Sequence, residues 1–371
     1  MKLGMVAGEA SGDLLAGLLM GGLKTRWPDL QALGIGGPQM AAQGFEAWWP
    51  SDRLAVHGYA EALKVYRQLV RLRRQLGDRL LAERPDVFIG IDAPDFNLGL
   101  EARLKGTGLK TVHFVCPSIW AWRGGRVHRL AASADHVLCL FPFEPELLAH
   151  AGVAASYVGH PLADAIPLEV PRTAARAALG LAAGQAFVLA LFHPVVQQAQ
   201  SVHAQTTALC KALLAIGLPV VWLAPNADAG SRAVLQALDD HALPTGSQRV
   251  QHLSRPVFVA AMRYCAVLVG NSSAGIIEAA SLGTPVVNVG SRQNLRERNA
   301  NVVDVAVDVA DVPVEVANVA VAIEAALRSA LDHGPWPREN IYGDGHSGER
   351  IAHLLAKLPL DRSLLEKANA Y

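Results

Sequence analysis

Short runs of Val, Ile and Leu recur along the first half of the chain, at 3–7 (LGMVA), 86–91 (DVFIGI), 110–115 (KTVHFV), 136–141 (HVLCLF) and 155–160 (ASYVGH). Longer stretches with helical spacing separate them. Continuous apolar runs of this length read as strands, and their alternation with helices predicts βαβ units around a parallel sheet. The rhythm stops at 160–186, where three prolines occur without a strand-like run. It restarts at 187–192 (FVLALF), 218–224 (LPVVWLA), 249–253 (RVQHL), 266–270 (AVLVG) and 284–290 (TPVVNVG). The pattern predicts an α/β chain of two Rossmann-like, doubly wound domains, at 1–165 and 187–358, joined by a hinge at 166–186. A terminal segment, 359–371, is expected to pack back on the first domain. Two such domains facing across a cleft would take ligands at the carboxyl ends of their strands.

Composition narrows the class. The chain has 371 residues, 51% hydrophobic and 18% charged, with 33 basic residues balancing 33 acidic ones. That balance excludes a highly charged disordered chain and argues against a nucleic-acid partner. The four cysteines, Cys116, Cys139, Cys210 and Cys265, lie far apart without a CxxC pair, as expected of buried thiols in a reducing compartment. The start, MKLGMVAGEASGD, has no secretory apolar region, and no run approaches the ~20 apolar residues that span a bilayer. The expectation is a cytoplasmic protein, with room for peripheral attachment to a membrane surface.

Candidate chemistry sits where strands end. After the first strand, Gly8, Glu9, Ser11 and Gly12 form a small-residue loop suited to a ligand at a helix N-terminus; a tight turn capped by Ser11 or Asp13 is the competing reading. The spacing is not GxGxxG, so a dinucleotide is poorly supported. After the strand at 86–91, Asp92 and Asp95 face the same end; Asp92 is a candidate general base, with an Asp-Ala-Pro-Asp turn as the alternative. Trp122 and Arg123, in CPSIWAWRGGRVHR, are suited to stacking on a sugar and holding a phosphate, or simply to packing at a domain edge. Residues 65–80 place Tyr66, Leu69, Val70 and Leu72 among Arg67, Arg71, Arg73, Arg74 and Arg79. Such a helix either lies on an anionic lipid surface or presents an ordinary solvated face. In the second half, GNSSAGIIEA (270–279) places Ser272, Ser273 and Gly275 as a diphosphate cradle and Glu278 as acceptor for ribose hydroxyls. His193, in FHPV, ends a strand and is a catalytic candidate. No metal-ligand spacing is present, and no cofactor is expected.

Two families are resembled. VAGEASGD (6–13), GIGGPQM (34–40), LAVHGYAEAL (54–63), IGIDAPDFN (90–98), TVHFVCPSIWAWR (111–123), FPFE (141–144) and VGHPLAD (158–164) resemble lipid-A-disaccharide synthases, which join UDP-2,3-diacylglucosamine to lipid X. From about 190 onward, FHPV (192–195), PNADAG (225–230), GNSSAGIIEA, GTPVVNVGSRQ (283–293), RERNANVVDV (296–305), YGDG (342–345) and LLEKANAY (364–371) resemble hydrolysing UDP-N-acetylglucosamine 2-epimerases. The chain reads as a chimaera of two enzymes that share a glycosyltransferase-B-type fold, joined near the domain boundary.

The resemblance implies an acceptor-side first domain with Asp92 as base, and a UDP-sugar-binding second domain in which His193, Asn226, Ser272, Ser273, Gly275, Glu278 and Arg292 contact the nucleotide or its phosphates. It implies a UDP-glucosamine derivative as substrate, with lipid X as acceptor and the helix at 65–80 on the membrane; a homodimer is one open option for assembly. Two departures matter. The arginine-bearing LPGSR loop of the synthases is replaced by LFHPV, which is expected to weaken transfer. The epimerases' first-domain acid/base glutamate is replaced by the CPSIWAW segment. A synthase-like transferase, a 2-epimerase releasing N-acetylmannosamine and UDP, and a non-catalytic UDP-sugar binder are therefore the three readings.

Overall fold

The computed structural model describes residues 1–54, 62–117, 126–166, 171–182, 184–195, 198, 200–225, 230–307 and 315–358. The chain divides into two compact units, Ile166–Ile341 forming one, and Met1–Ala165 with the segment from Tyr342 forming the other.

Among the described residues the first unit carries a sheet of strands β1 (Lys2–Ala7), β2 (Gln31–Gly36), β3 (Glu46–Pro50), β4 (Val87–Ile91), β5 (Lys110–Phe114), β6 (His136–Cys139) and β7 (Ala155–Tyr157). Their order is β3-β2-β1-β4-β5-β6-β7, every pair parallel. β4 is buried throughout and β1 from Leu3 onward, as continuous apolar runs at the centre of a parallel sheet require. β2 and β3 are additions to the sequence reading: QALGIG is rich in glycine and alanine, and EAWWP lies at the sheet edge, half-exposed. The helix Ala62–Glu83 buries Leu72, Leu76 and Leu80 beside Val6, Phe88 and Phe96. Its stripe of leucines is thus a core face.

The second unit carries β8 (Val188–Leu191), β9 (Val220–Leu223), β10 (Gln248–Val250), β11 (Val267–Gly270), β12 (Val286–Val289) and β13 (Val302–Val305), in the parallel order β10-β9-β8-β11-β12-β13. One face of this sheet packs Phe192, Leu213, Trp222 and Ile323, and the other Phe187, Leu189, Met262 and Leu268.

Two boundaries differ from the sequence reading. The stretch expected as a hinge, 166–186, contributes the helix Arg172–Ala178 and buries Ile166, Leu179 and Leu181 in the second unit. The prolines there end a strand pattern without ending compact structure. Residues 342–358, expected in the second domain, belong to the first unit. The His160 N–H donates to the Tyr342 carbonyl at 2.6 Å, and the Tyr342 ring meets Phe141 edge-on. Asp164 accepts from the Gly345 N–H at 2.8 Å and the Ser347 N–H at 2.7 Å, capping the helix Ser347–Lys357. That helix crosses Ala10–Lys24 where Gly22 meets Gly348. The segment 359–371 lies outside the described residues.

Candidate functional site

A doubly wound sheet opens a crevice where its strand order reverses. In the first unit the reversal lies between β1 and β4. Gly8 and Glu9 after β1, and Asp92, Ala93, Pro94, Asp95 and Phe96 after β4, line a pocket of about 440 Å3 there, walled by Leu54, Tyr66, Leu69, Val70 and Arg73. This volume falls within the range of small-molecule sites.

Asp92 sits on a strained turn. Its φ is 49° and that of Ala93 is 44°, both in the left-handed region. Side chains other than glycine adopt this region at a cost of roughly 1–2 kcal/mol each. The Asp92 N–H donates to the Phe114 carbonyl at 2.9 Å, and Asn97 Nδ2 donates to the carbonyls of Asp92 at 2.8 Å and Ile91 at 3.2 Å. Gly8 packs against the same turn, since a Cβ added to it would lie 3.2 Å from the Cβ of Ala93. Glu9 and Ser11 are exposed and Gly12 is buried, but the helix Ala10–Lys24 starts at once, so most of the expected loop is its first turn. Asp13 does not cap that turn. It is buried and accepts from the N–H groups of Gly37, Gln39 and Met40 at 2.8, 2.9 and 3.1 Å.

Behind the turn lies a polar cluster absent from the sequence reading. Asn97 and Glu101, one helical turn apart in Pro94–Lys105, both reach over Gly90 of β4. Glu101 Oε1 meets His113 Nδ1 at 2.7 Å, and both side chains are fully buried. His113 lies on β5 directly opposite Gly90, where any side chain would strike the Glu101 carboxylate. Burial, the largest influence on the imidazole, pulls its pKa down; the charge and hydrogen bond of Glu101, with the charge of Asp92, outweigh it and hold the pKa above the ordinary 6.5. Two polar residues on a helix face otherwise occupied by Leu100 and Leu104 were the signal available in the sequence.

The second unit repeats the arrangement at the reversal between β8 and β11. Asn271, just after β11, brackets the backbone of His193: its Oδ1 accepts from the His193 N–H and its Nδ2 donates to the His193 carbonyl, both at 2.8 Å. Gly270 allows this approach, since its φ of 135° and its contact with the Leu191 carbonyl leave no room for a Cβ. The Asn271 carbonyl in turn accepts from Arg292 Nη1 at 3.1 Å and Gln293 Nε2 at 2.8 Å. Ser272 caps the short helix Ser273–Ile277 through the Ala274 N–H. Gly275 packs against Val286 and Leu268, and its N–H already donates to the Ser272 carbonyl at 3.2 Å. Its role is close packing of the loop on the sheet. Glu278 is buried and its carboxylate meets Arg255 at 2.5 Å; burial pushes its pKa up, and the guanidinium partly offsets this. The structure thus brings His193, Ser272, Ser273 and Arg292 to one strand-end cluster, with Asn271 and Gln293 as partners missed in the sequence.

Trp122, Arg123 and Asn226 lie outside the described residues. On the helix Ala62–Glu83 the basic residues divide. Arg79 stacks on Trp48 at 3.9 Å, while Arg67, Arg71 and Arg74 are exposed; Arg103 of the neighbouring helix donates to the Arg74 backbone carbonyl and pairs with Asp78. Among the described residues no helix is long and apolar enough to cross a membrane, and no cluster of three or more His, Cys, Asp or Glu is placed to hold a metal ion. All four cysteines are buried and unpaired.

A family profile of lipid-A-disaccharide synthetases matches residues 3–216, and one of UDP-N-acetylglucosamine 2-epimerases matches residues 146–356. The lipid-A-disaccharide synthase of Verminephrobacter eiseniae is 65% identical over 184 residues, which are 49% of this chain and 47% of that protein. The chain thus spans about half the length of this curated relative. The fold is that of the UDP-GlcNAc 2-epimerase of Neisseria meningitidis, solved bound to UDP-GlcNAc, with a TM-score of 0.73 at 12% identity over 96% of this chain and 100% of that one. A glycosyltransferase from Rickettsia africae shares it at a TM-score of 0.55 and 11% identity, over 96% of this chain and 98% of that one.

Proposed function

Since the chain belongs to the lipid-A-disaccharide synthetase family through residues 3–216 and to the UDP-N-acetylglucosamine 2-epimerase family through residues 146–356, we propose that it is a UDP-sugar-dependent glycosyltransferase acting on a glucosamine-derived lipid acceptor. The observation that carries this reading is Asp92, set on a strained turn in a pocket that also exposes Leu54, Tyr66, Leu69, Val70 and Phe96. A carboxylate beside apolar walls suits an acceptor with one reacting hydroxyl and attached acyl chains.

In the proposed step Asp92 takes the proton of the acceptor 6-hydroxyl. The oxygen forms a bond to the anomeric carbon of the donor sugar, the bond from that carbon to the diphosphate oxygen breaks, and UDP leaves with the electron pair. The strand-end cluster of His193, Ser272, Ser273 and Arg292 supports diphosphate binding, with Glu278 toward the ribose. The exposed Arg67 and Arg71 support attachment to an anionic membrane surface. Replacement of the synthases' loop arginine by LFHPV predicts slow turnover.

A second reading is favoured by one observation: Asn271, which pins the backbone of His193, stands in the stretch beyond residue 216 that the epimerase profile matches and the synthetase profile does not. On that reading UDP-GlcNAc and water yield N-acetylmannosamine and UDP.

Product analysis by mass spectrometry separates the readings. The purified chain is given UDP-2,3-diacylglucosamine with 2,3-diacylglucosamine 1-phosphate, or UDP-GlcNAc alone. A disaccharide lipid is expected; free N-acetylmannosamine would select the second reading. Neither product, with saturable UDP binding by calorimetry that Glu278→Ala removes, would leave a binding protein without turnover.

A further inference from the structure

The Asp92 turn has no glycine at either of its left-handed positions. Something outside the turn must therefore hold it. Ala93 is also the residue preceding the helix Pro94–Lys105, with ψ 54°, and it forms no side-chain cap. The Ile91 carbonyl at the end of β4 is buried and that of Asp92 is partly so, and both need a donor.

Asn97 meets both needs with one amide. It is fully buried, and its Nδ2 donates to the Asp92 carbonyl at 2.8 Å and the Ile91 carbonyl at 3.2 Å, with a longer approach of 3.4 Å to the Val6 carbonyl. Val6 belongs to β1, whose following residues, Gly8 and Glu9, form the opposite lip of the pocket. One side chain thus spans the two strand ends between which the pocket opens. Its own place is fixed from behind, because the Asn97 side chain crosses the bare backbone of Gly90 next to the buried Glu101–His113 pair. A longer residue at 90 would evict both polar groups.

We propose that Asn97 is a positioning residue: it holds Asp92 and Ala93 in their left-handed conformation and keeps the Asp92 turn registered against the Gly8–Glu9 loop. It touches no substrate and acts through Asp92. The proposal rests on Asp92 as base for its kinetic consequence, but its structural consequence stands alone. Leucine at 97 keeps the volume and removes the donor. Alanine removes the donor with a smaller perturbation of the fold.

The test compares Asn97→Leu and Asn97→Ala with the wild type by amide hydrogen exchange over residues 88–98 and by steady-state kinetics. Exchange of the Asp92 amide, which donates to the Phe114 carbonyl, is expected to rise at least ~10-fold in both variants while β2 and β6 amides keep wild-type protection. The kcat of sugar transfer should fall ~10- to 100-fold with KM within about twofold, as expected for a misplaced base. Adding Ala93→Gly, which removes the side-chain penalty of the left-handed conformation, should restore part of both losses. Unchanged exchange at residue 92 in a folded variant overturns the proposal whatever the kinetics. So does KM rising with kcat constant. If the wild type transfers no sugar but the exchange pattern appears, the positioning role stands and the transferase reading falls.

Discussion

Glu101 and His113 are fully buried and joined at 2.7 Å, and one oxygen of the carboxylate and one nitrogen of the ring have no hydrogen-bond partner. Zero exposure means that solvent does not screen this pair. Replacing His113 by Gln leaves the Glu101 charge in the interior, and the cost expected for breaking a buried pair is about 3–5 kcal/mol. At 1.4 kcal/mol per factor of ten, this is an acceleration of roughly 100- to 5,000-fold in hydrogen exchange of the β4 and β5 amides. Exchange is the right assay because the chain has two units and global unfolding mixes them. The double variant Glu101→Met with His113→Phe should stay within about tenfold of wild type, since an apolar pair of similar size needs no charge compensation. The pH dependence has a definite sign. The folded-state pKa of His113 lies above its ordinary 6.5, so the pair's contribution is complete below about that pH and is lost as pH rises through the folded value. The protection factors of these strands, taken relative to the pH-dependent intrinsic exchange rate, should therefore fall as pH rises above about 6.5 in the wild type, and that fall should be absent in His113→Gln. Acceleration below tenfold in His113→Gln, with no change in the pH profile, would refute an ionised pair.

Other outcomes follow from the same structure. Asp92→Asn should abolish the proposed sugar transfer and leave the calorimetric affinity for UDP within about twofold, because the turn and the strand-end cluster proposed to hold the nucleotide belong to different units. Arg255→Leu removes the counter-charge of buried Glu278, whose pKa burial already raises above 4.5; stability contributed below about pH 4.5 is lost as pH rises through the folded value. Protection factors in β11 and β12, taken relative to the pH-dependent intrinsic exchange rate, should accordingly fall as pH rises above about 4.5, and the fall should be steeper in that variant. Asp164→Ala deletes the acceptor for the Gly345 and Ser347 N–H groups and should destabilise the docked helix Ser347–Lys357 by about 1–2 kcal/mol, read as faster proteolysis near residue 345.

The sequence determined what is local. Apolar runs such as DVFIGI and AVLVG predict the buried strands β4 and β11, and the residues just after strands, Asp92, His193 and Ser272, stand out as site candidates because strand ends carry ligands in this class of sheet. Motifs in each half pointed to two families, and the matches over 3–216 and 146–356 agree. Weakly patterned strands escaped: QALGIG is buried among its neighbours but rich in glycine and alanine, and EAWWP is an edge strand with no buried residue and no apolar alternation. The tertiary structure decided what depends on distant partners. It returned residues 342–358 to the first unit through Asp164, 181 and 183 positions away from the amides it accepts, and it set Asn97 across to Val6, 91 positions away. It also joined Glu278 to Arg255 and Asn271 to His193. Periodicity reports which face of an element is apolar, but a buried polar side chain is stable only when a specific partner meets it, and that partner is supplied by the fold.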